Sequence, residues 1–424
     1  MRRRERLVEL RNALPFLVWI VSFSIALNSG WVLAYRILYL FSILIAFGLV
    51  WSGGAIWSLA LTREPLGRIL HAGDTFSERL VIANRSLLPQ MWVAVEDSSN
   101  LPMHAMRQVL SYIGPRSRRQ FLLRTRCLRR GRFTLGPVTL TGGDPFGIFR
   151  TRRQVGPTHK IVVYPRIFHL DSFGVVTGLL QTEARRLRRS LDPTTDASSV
   201  RDYYPGDEFR RIHWPSSIRQ GRLIAKEFEH SPGGDIWVVL DMERSVQAGY
   251  LFDYSESAEH SAIHEAWPLL DPSTEEYGVS VAASVAAYYL RSERAVGFLT
   301  YGSSRIVMQP DRGERQLARI LDALAVVRAE GRLPLGQVLQ REARGFKRFD
   351  TIVVITPSED QEWVAAAHAL TLSGVRPLPV VLERATFAGG APSREVQRLL
   401  ASRHLAFCPL ANGQRPDEIA CVTT

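Results

Sequence analysis

Apolar and polar positions follow three different rhythms along the chain, and each predicts a different architecture. Residues 13–29 carry no charge across 17 positions, and residues 37–61 carry none across 25. At 1.5 Å per residue the first run makes a helix of about 25 Å, against roughly 30 Å of bilayer hydrocarbon. It therefore crosses only by thinning the bilayer or running past Ser29, whereas the second run can cross with tilt. Asn28-Ser29-Gly30 stops a helix, so a two-helix transmembrane hairpin is predicted over 13–61, preceded by a basic segment 1–12. Trp31, Tyr35 and Tyr39 suit the membrane interface, and Gly48, Ser52, Gly53 and Gly54 allow the helices to approach. Arg2, Arg3, Arg4, Arg6 and Arg11 precede the first run, and Arg36 alone lies in the hairpin. Positive charge stays inside, so both termini are expected in the cytoplasm, with Arg63 and Arg68 following the second span. A cleaved signal peptide fits less well, because no Ala-x-Ala ending occurs and a second apolar run follows at once.

After Pro65 the rhythm shortens to alternating runs over 77–84, 91–95 and 120–128, separated by turn residues. That alternation predicts a small β-sandwich over 70–165. Phe121, Leu123, Thr125 and Cys127 fall on one strand face and Arg124 and Arg126 on the other, which puts Cys127 in the core. The glycines and prolines from Gly131 to Pro137 and from Gly142 to Gly147 fix tight turns, and the strand 161–164 closes the segment.

The third rhythm alternates strands with helices. Ile236 to Leu240 is a short apolar run ending at Asp241, the pattern of a buried parallel strand that delivers a carboxylate at its C-terminal edge. Val279, Ala283, Ala286 and Leu290 form a helical stripe. Strands are expected at 295–301, 351–356, 378–381 and 405–410, and helices at 314–329, 361–372 and 393–402. A doubly wound α/β domain over 235–424 follows, with a linker and signature segment at 166–234. An insertion at 246–275 carries Asp253, Glu256, Glu259, Glu265, Asp271 and Glu275 and no lysine or arginine. Within it His260 and His264 stand four apart, a helical spacing able to pair two imidazoles on a metal, although no third ligand is evident.

Composition narrows the function classes. Of 424 residues 46% are hydrophobic and 22% charged, which excludes a disordered or fibrous chain. Lys+Arg 53 against Asp+Glu 41 gives +12, but only Lys160, Lys226 and Lys347 are lysines. That arginine skew reflects a GC-rich coding bias as readily as a binding surface, and no basic–aromatic interleaving points to nucleic acid. Nine arginines and no acid lie from Arg107 to Arg132, the pattern of a solvated sheet face or of a surface meeting phosphate headgroups. Cys127, Cys408 and Cys421 are too few and too scattered for a disulfide framework or a four-cysteine zinc site, which suits a reducing compartment.

The densest chemistry lies at 196–230. Asp202, Asp207, Arg210 and His213 surround a Pro205-Gly206 turn, with Asp207 able to cap a short helix that Pro215 interrupts. Residues 222–229 then alternate as a strand, with Glu227 and Glu229 on one face and Arg222 and Lys226 on the other. Arg201, Asp202, Asp207, Arg210, His213, Trp214, Arg219, Lys226 and Glu227 occur in the order of a family signature. With the Leu135-Gly136-Pro137 and Gly143-Asp144-Pro145-Phe146-Gly147 turns and the paired apolar runs, this string resembles the bacterial family DUF58. The resemblance implies a membrane-anchored protein of the bacterial cytoplasmic membrane. It further implies a cytoplasmic von Willebrand factor A-like (Rossmann-like) domain, and a MoxR-type AAA+ ATPase as partner. No reaction is established for the family.

A von Willebrand A domain would place an Asp-x-Ser-x-Ser loop after its first strand to hold a divalent ion. Here Asp241 and Ser245 match, Glu243 replaces a serine, Leu333 stands at the threonine position, and the late aspartate is missing from Thr356-Pro357-Ser358. Magnesium, and any other cofactor, is therefore not expected. A salt-bridged junction or docking surface is expected at the signature, and the chain is read as a non-enzymatic, membrane-anchored scaffold or adaptor. The alternative is a hydrolase with His213 as base, Asp202 or Asp207 as orienter and Ser216 or Ser217 as nucleophile. No Gly-x-Ser-x-Gly elbow accompanies them.

Overall fold

A computed structural model describes residues 7–10, 12–67, 69–104, 106–171, 173, 199–203, 212–227, 234–251, 270–390 and 394–422. They fall into two units, one within 1–166 and one from 167 onward.

The first unit runs β1 (Leu7–Leu10), α1 (Leu14–Ser29), α2 (Val32–Trp57), β2 (Leu59–Leu66), β3 (Leu70–His71), β4 (Thr75–Asn84), β5 (Gln90–Asp97) and β6 (Arg107–Ile113). It continues with β7 (Arg118–Arg126), β8 (Gly131–Leu135), β9 (Val138–Gly143), β10 (Phe149–Val155) and β11 (His159–Tyr164). A five-stranded sheet in the order β1-β10-β9-β5-β6 accompanies two three-stranded sheets, β2-β4-β7 and β3-β11-β8. Alternation makes the core: Leu80 and Ile82 of β4 point inward against Val93, Val95, Ile113 and Leu140, and Phe76 enters a second cluster with Leu70, Leu101, Leu135 and Val163. Cys127 is buried in that second cluster, beside Phe76, as its phase required.

The two apolar helices form a hairpin, turned at Gly30 in the left-handed region and joined by a Trp19 Nε1 to Ser42 Oγ hydrogen bond of 2.8 Å. One of them, over Val32–Gly54, is long and apolar enough to cross a membrane, while Leu14–Ser29 is a shorter apolar helix. The second helix is displaced towards the N-terminus relative to the apolar run, beginning at Val32. It ends at Trp57, and Leu59 to Leu61 are instead the start of β2, paired antiparallel with Ile82 to Asn84 of β4. These apolar residues serve a sandwich core, and an unbroken uncharged run does not distinguish that use from a membrane span. The sandwich thus begins before residue 70 and also takes in β1, which pairs with β10.

The second unit contains β12 (Ser199–Asp202), α3 (Trp214–Gln220), β13 (Ile224–Glu227), β14 (Ile236–Leu240), α4 (Thr274–Arg291), β15 (Val296–Tyr301), β16 (Arg305–Asp311) and α5 (Glu314–Val326). After them come α6 (Leu335–Glu342), β17 (Thr351–Thr356), α7 (Gln361–Leu372), β18 (Arg376–Leu382), α8 (Arg384–Phe387), α9 (Glu395–Ser402) and β19 (Cys408–Leu410). Six strands form one sheet in the order β16-β15-β14-β17-β18-β19, parallel except for β16. Helices cover both faces. Trp237, Val239, Ile352 and Val354 pack against Leu339, Trp363, Ala367 and Leu400, whereas Gly278 of α4 comes within contact distance of Leu240, Ile355 and Leu382. Cys408 and Cys421 are joined in a disulfide, a pair the count of three cysteines did not suggest. The short bridge between Phe407 and Val422 brings the tail back to β19 and sets the two side by side.

Candidate functional site

The signature is a small α/β element. β12 and β13 pair antiparallel, Arg201 opposite Ala225 and Asp202 opposite Ile224, with Lys226 and Glu227 facing Val200 and Ser199 in the register. His213 donates its backbone N–H to Ile224 O at 2.7 Å and precedes the seven-residue α3. Its Nδ1 lies 2.7 Å from Ser216 Oγ. Ser217 does a different job: its hydroxyl donates to His213 O at 3.0 Å and accepts the Ile224 N–H at 3.0 Å, clamping helix to strand. Asp202 accepts from Arg222 at 2.9 Å, an ion pair more than half exposed. Trp214 and Arg219 are exposed on α3. The structure therefore joins His213 to Ser216 and Asp202 to Arg222. Asp207 and Arg210, like His260 and His264, lie outside the described residues.

The sheet creates a second locality. In the order of its six strands along the chain, the sheet reads 3-2-1-4-5-6, so connections part on either side of β14 and β17, where crevices form beyond the strand ends. Asp241 follows β14 there and is buried. Its Oδ2 accepts from Thr356 Oγ1 at 2.6 Å and its Oδ1 from the Glu243 N–H at 3.0 Å. Burial pushes this carboxyl up to about 6 in spite of those two bonds, and Glu243 adds to the rise. Ser245 donates to Glu243, and Leu333 offers only hydrocarbon. Both oxygens of Asp241 thus accept a hydrogen bond, Glu243 accepts from Ser245, and Leu333 adds no side-chain ligand atom.

Beside this loop opens a cleft of about 1160 Å³. Arg244, Arg328, Arg332 and Arg341 line it with Tyr301, against the two acids Glu275 and Glu330. Arg328 pairs with Glu275 at 3.2 Å and Glu276 at 3.5 Å. Gly331 stitches the loops that form the floor, donating to Met242 O and accepting from the Arg244 N–H, each at 2.9 Å. A Cβ at Gly331 would lie 2.1 Å from Tyr301 O, so only glycine permits this approach.

A third constellation, in the sandwich, escaped the sequence reading. Arg63, Glu78, Asp97 and His104 meet in its interior. Arg63 pairs with Glu78 at 3.3 Å and with Asp97, and His104 Nε2 lies 3.0 Å from Asp97 and 3.5 Å from Glu78. His104 Nδ1 lies 2.9 Å from Thr125 Oγ1. Burial would lower the imidazole, but its bonds to Asp97 and Glu78 outweigh it and raise His104. Burial would raise the Asp97 carboxyl, but bonds to His104 and Arg63 hold it below the ordinary range. Among the described residues, Glu78, Asp97 and His104 alone bring three potential metal-ligand atoms together. The Arg63 guanidinium already bridges both carboxylates, and a protonated His104 completes neutrality. The cluster is therefore a buried ion network. One signal was available, because Glu78 falls in phase with inward Phe76 and Leu80.

Comparison with known proteins agrees with the signature. The chain is 20% identical over 334 residues to the uncharacterized protein YeaD of Bacillus subtilis (strain 168), covering 76% of this chain and 75% of that protein. An aerotolerance-related membrane protein from Bacteroides fragilis NCTC 9343 aligns over 35% of this chain and 67% of its own, at 18% identity and TM-score 0.24. The CARDB domain of PF1109 from Pyrococcus furiosus aligns over 25% of this chain and 93% of its own, at 12% identity and TM-score 0.18. At these TM-scores the structural likenesses carry no argument. Residues 199–371, which hold both the signature and the cleft, match the model of the family described as protein of unknown function DUF58.

Proposed function

We propose that the chain is a membrane-anchored docking protein whose α/β domain binds an acidic segment of a partner protein in the arginine-lined cleft, without catalysing a reaction. The cleft carries this reading: four arginines against two glutamates surround an open space at the carboxyl ends of the strands. The strand order with its antiparallel β16 supports a von Willebrand A-like domain, of a kind that engages other proteins. The mismatched donor set around Asp241 supports binding without magnesium. A MoxR-type AAA+ ATPase, or a client shared with it, is the partner the family resemblance suggests.

Anchoring rests on the hairpin. β1 precedes it, β2 follows it, and both join the same sandwich unit, which supports an even number of crossings. Two spans in the bacterial cytoplasmic membrane with both termini in the cytoplasm satisfy that geometry and the arginine asymmetry.

The reading is tested by affinity purification of the full chain from native membranes, beside an Arg244→Glu/Arg332→Glu variant. A stoichiometric protein partner lost from the variant, with melting temperature unchanged, is the expected result; the same partners in both preparations would refute the cleft. A second reading has one observation behind it, the 2.7 Å His213–Ser216 contact, which could activate a hydroxyl. A Ser216→Ala chain that folds, keeps its partner and yet loses function in cells would favour that hydrolase.

A further inference from the structure

The hairpin is shorter than the bilayer it would cross. The Asn12 N–H donates to Ile148 O at 3.4 Å just before α1, and the rings of Phe16 and Phe149 meet edge-on at 6.0 Å. On α2 the ring of Phe47 lies 6.1 Å from that of Phe146, and a Cβ on Gly48 would lie 3.3 Å from the Phe149 ring. Further along, Ser52 Oγ and Thr151 Oγ1 are 2.6 Å apart, and Ile56 lies against Gly142. From Gly48 to Trp57, then, α2 lies along β9 and β10. Beyond those ring contacts the hairpin stands free over residues 17–29 and 32–46, about 20 to 22 Å at 1.5 Å per residue. A bilayer core of roughly 30 Å exceeds that by more than one helical turn.

We propose that the turn Asp144–Ile148 makes up the difference as a membrane-inserted tip, with Phe146 seated at the boundary of acyl chains and headgroups. The proposal rests on the anchor reading above. Phe146 is 52% exposed at the tip, and Phe47, Leu49 and Val50 of α2 are exposed beside it, continuing the apolar surface of the hairpin. Asp144 satisfies the N–H groups of Phe146, Gly147 and Phe149 from within the turn. Asp144, itself 1% exposed, accepts the Phe146 N–H at 2.9 Å and the Phe149 N–H at 2.6 Å, and its carbonyl accepts the Gly147 N–H at 3.3 Å. A backbone entering the edge of a bilayer must meet that condition, and an aromatic ring gains most at that depth. The occupant of this exposed apolar surface is therefore lipid.

The full chain, with its three cysteines replaced by serine, carries a single spin label at Ile43→Cys, Phe146→Cys or Leu122→Cys in phosphatidylethanolamine–phosphatidylglycerol vesicles. Oxygen should outcompete a nickel chelate as relaxant strongly at 43 and moderately at 146, whereas the chelate should dominate at 122, an exposed sandwich position. Position 43 in lipid with 146 as aqueous as 122 would overturn the tip and spare the anchor; an aqueous 43 would overturn both. Diazirine-lipid photolabelling of the unmodified chain reads the same contact without substitutions. Adducts on the 144–148 peptide are expected, and adducts confined to the two helices would contradict the tip.

Discussion

Single side chains define two experiments on the interior. In the Arg63–Glu78–Asp97–His104 network, His104 is raised above its ordinary 6.5, so its contribution is complete below that pH and is lost as pH rises through the folded value. Asp97 is lowered from 3.8, so its contribution is present above that pH and is lost as pH falls through the folded value. The sandwich should therefore be most stable between those limits, and His104→Gln should flatten the alkaline side of a melting-temperature profile. Asp97→Ala, which leaves Arg63 buried without one of its carboxylates, should cost about 3–5 kcal/mol in denaturant titration of the detergent-solubilised chain. At the signature the two serines separate. Ser217→Ala strands the buried Ile224 N–H and should cost about 1–3 kcal/mol, whereas Ser216→Ala should leave melting unchanged. The sequence alone does not separate the two serines, because nothing in the spacing of Ser217 and Ile224 reveals the hydrogen bond that β13 brings about. Glu78 was legible from its inward phase; Asp97 and His104 were not, since they reach it only when β5 and the following loop fold over β4.

The elements most fully legible were those with a strong period and clear ends. β17 and α7 lie at the boundaries read from the sequence, the latter started by Asp360, whose side chain accepts the Glu362 N–H. β16 was missed: it is a half-exposed edge strand containing Pro310, with little alternation to detect. Likewise α6 went unseen just after Leu333, the residue read as the threonine position of a degraded metal loop. The position of Asp241 was foreseen at the end of β14, but its closure by Thr356 depends on β17 lying alongside. Because burial lifts its carboxyl from 3.8 to about 6, the ionised form is a net burden at neutral pH. For an acid raised in the folded state, stability is greatest below the unfolded value and falls as pH rises towards the folded one. Asp241→Asn should accordingly stabilise the chain by up to about 3 kcal/mol at pH 7, a gain that vanishes near pH 4. A magnesium-dependent rise in wild-type melting temperature, abolished by the substitution, would contradict the closed site.

At the scale of the whole molecule, the β-rich first unit, the apolar hairpin and the five parallel strands of the second sheet were visible in the changing rhythm of the chain. The arginine cleft was not, because Arg244, Arg328, Arg332 and Arg341 come from segments that only the folded sheet gathers. Topology is checked by impermeant thiol labelling of intact cells: cysteines placed between Asn28 and Tyr35 should react, and one added at the C-terminal tail should not. The same placement makes a statement about Cys408 and Cys421. In a reducing cytoplasm they should be alkylated in cells quenched without reductant, and an intact disulfide would put the α/β domain on the oxidising side. The most direct test of the account is photo-crosslinking in native membranes from a benzoylphenylalanine installed at Ser303, on the wall of the cleft. A discrete adduct with a protein bearing an acidic segment, absent when Arg244 and Arg332 are reversed to glutamate, is the predicted result; an adduct pattern indifferent to that reversal would contradict it.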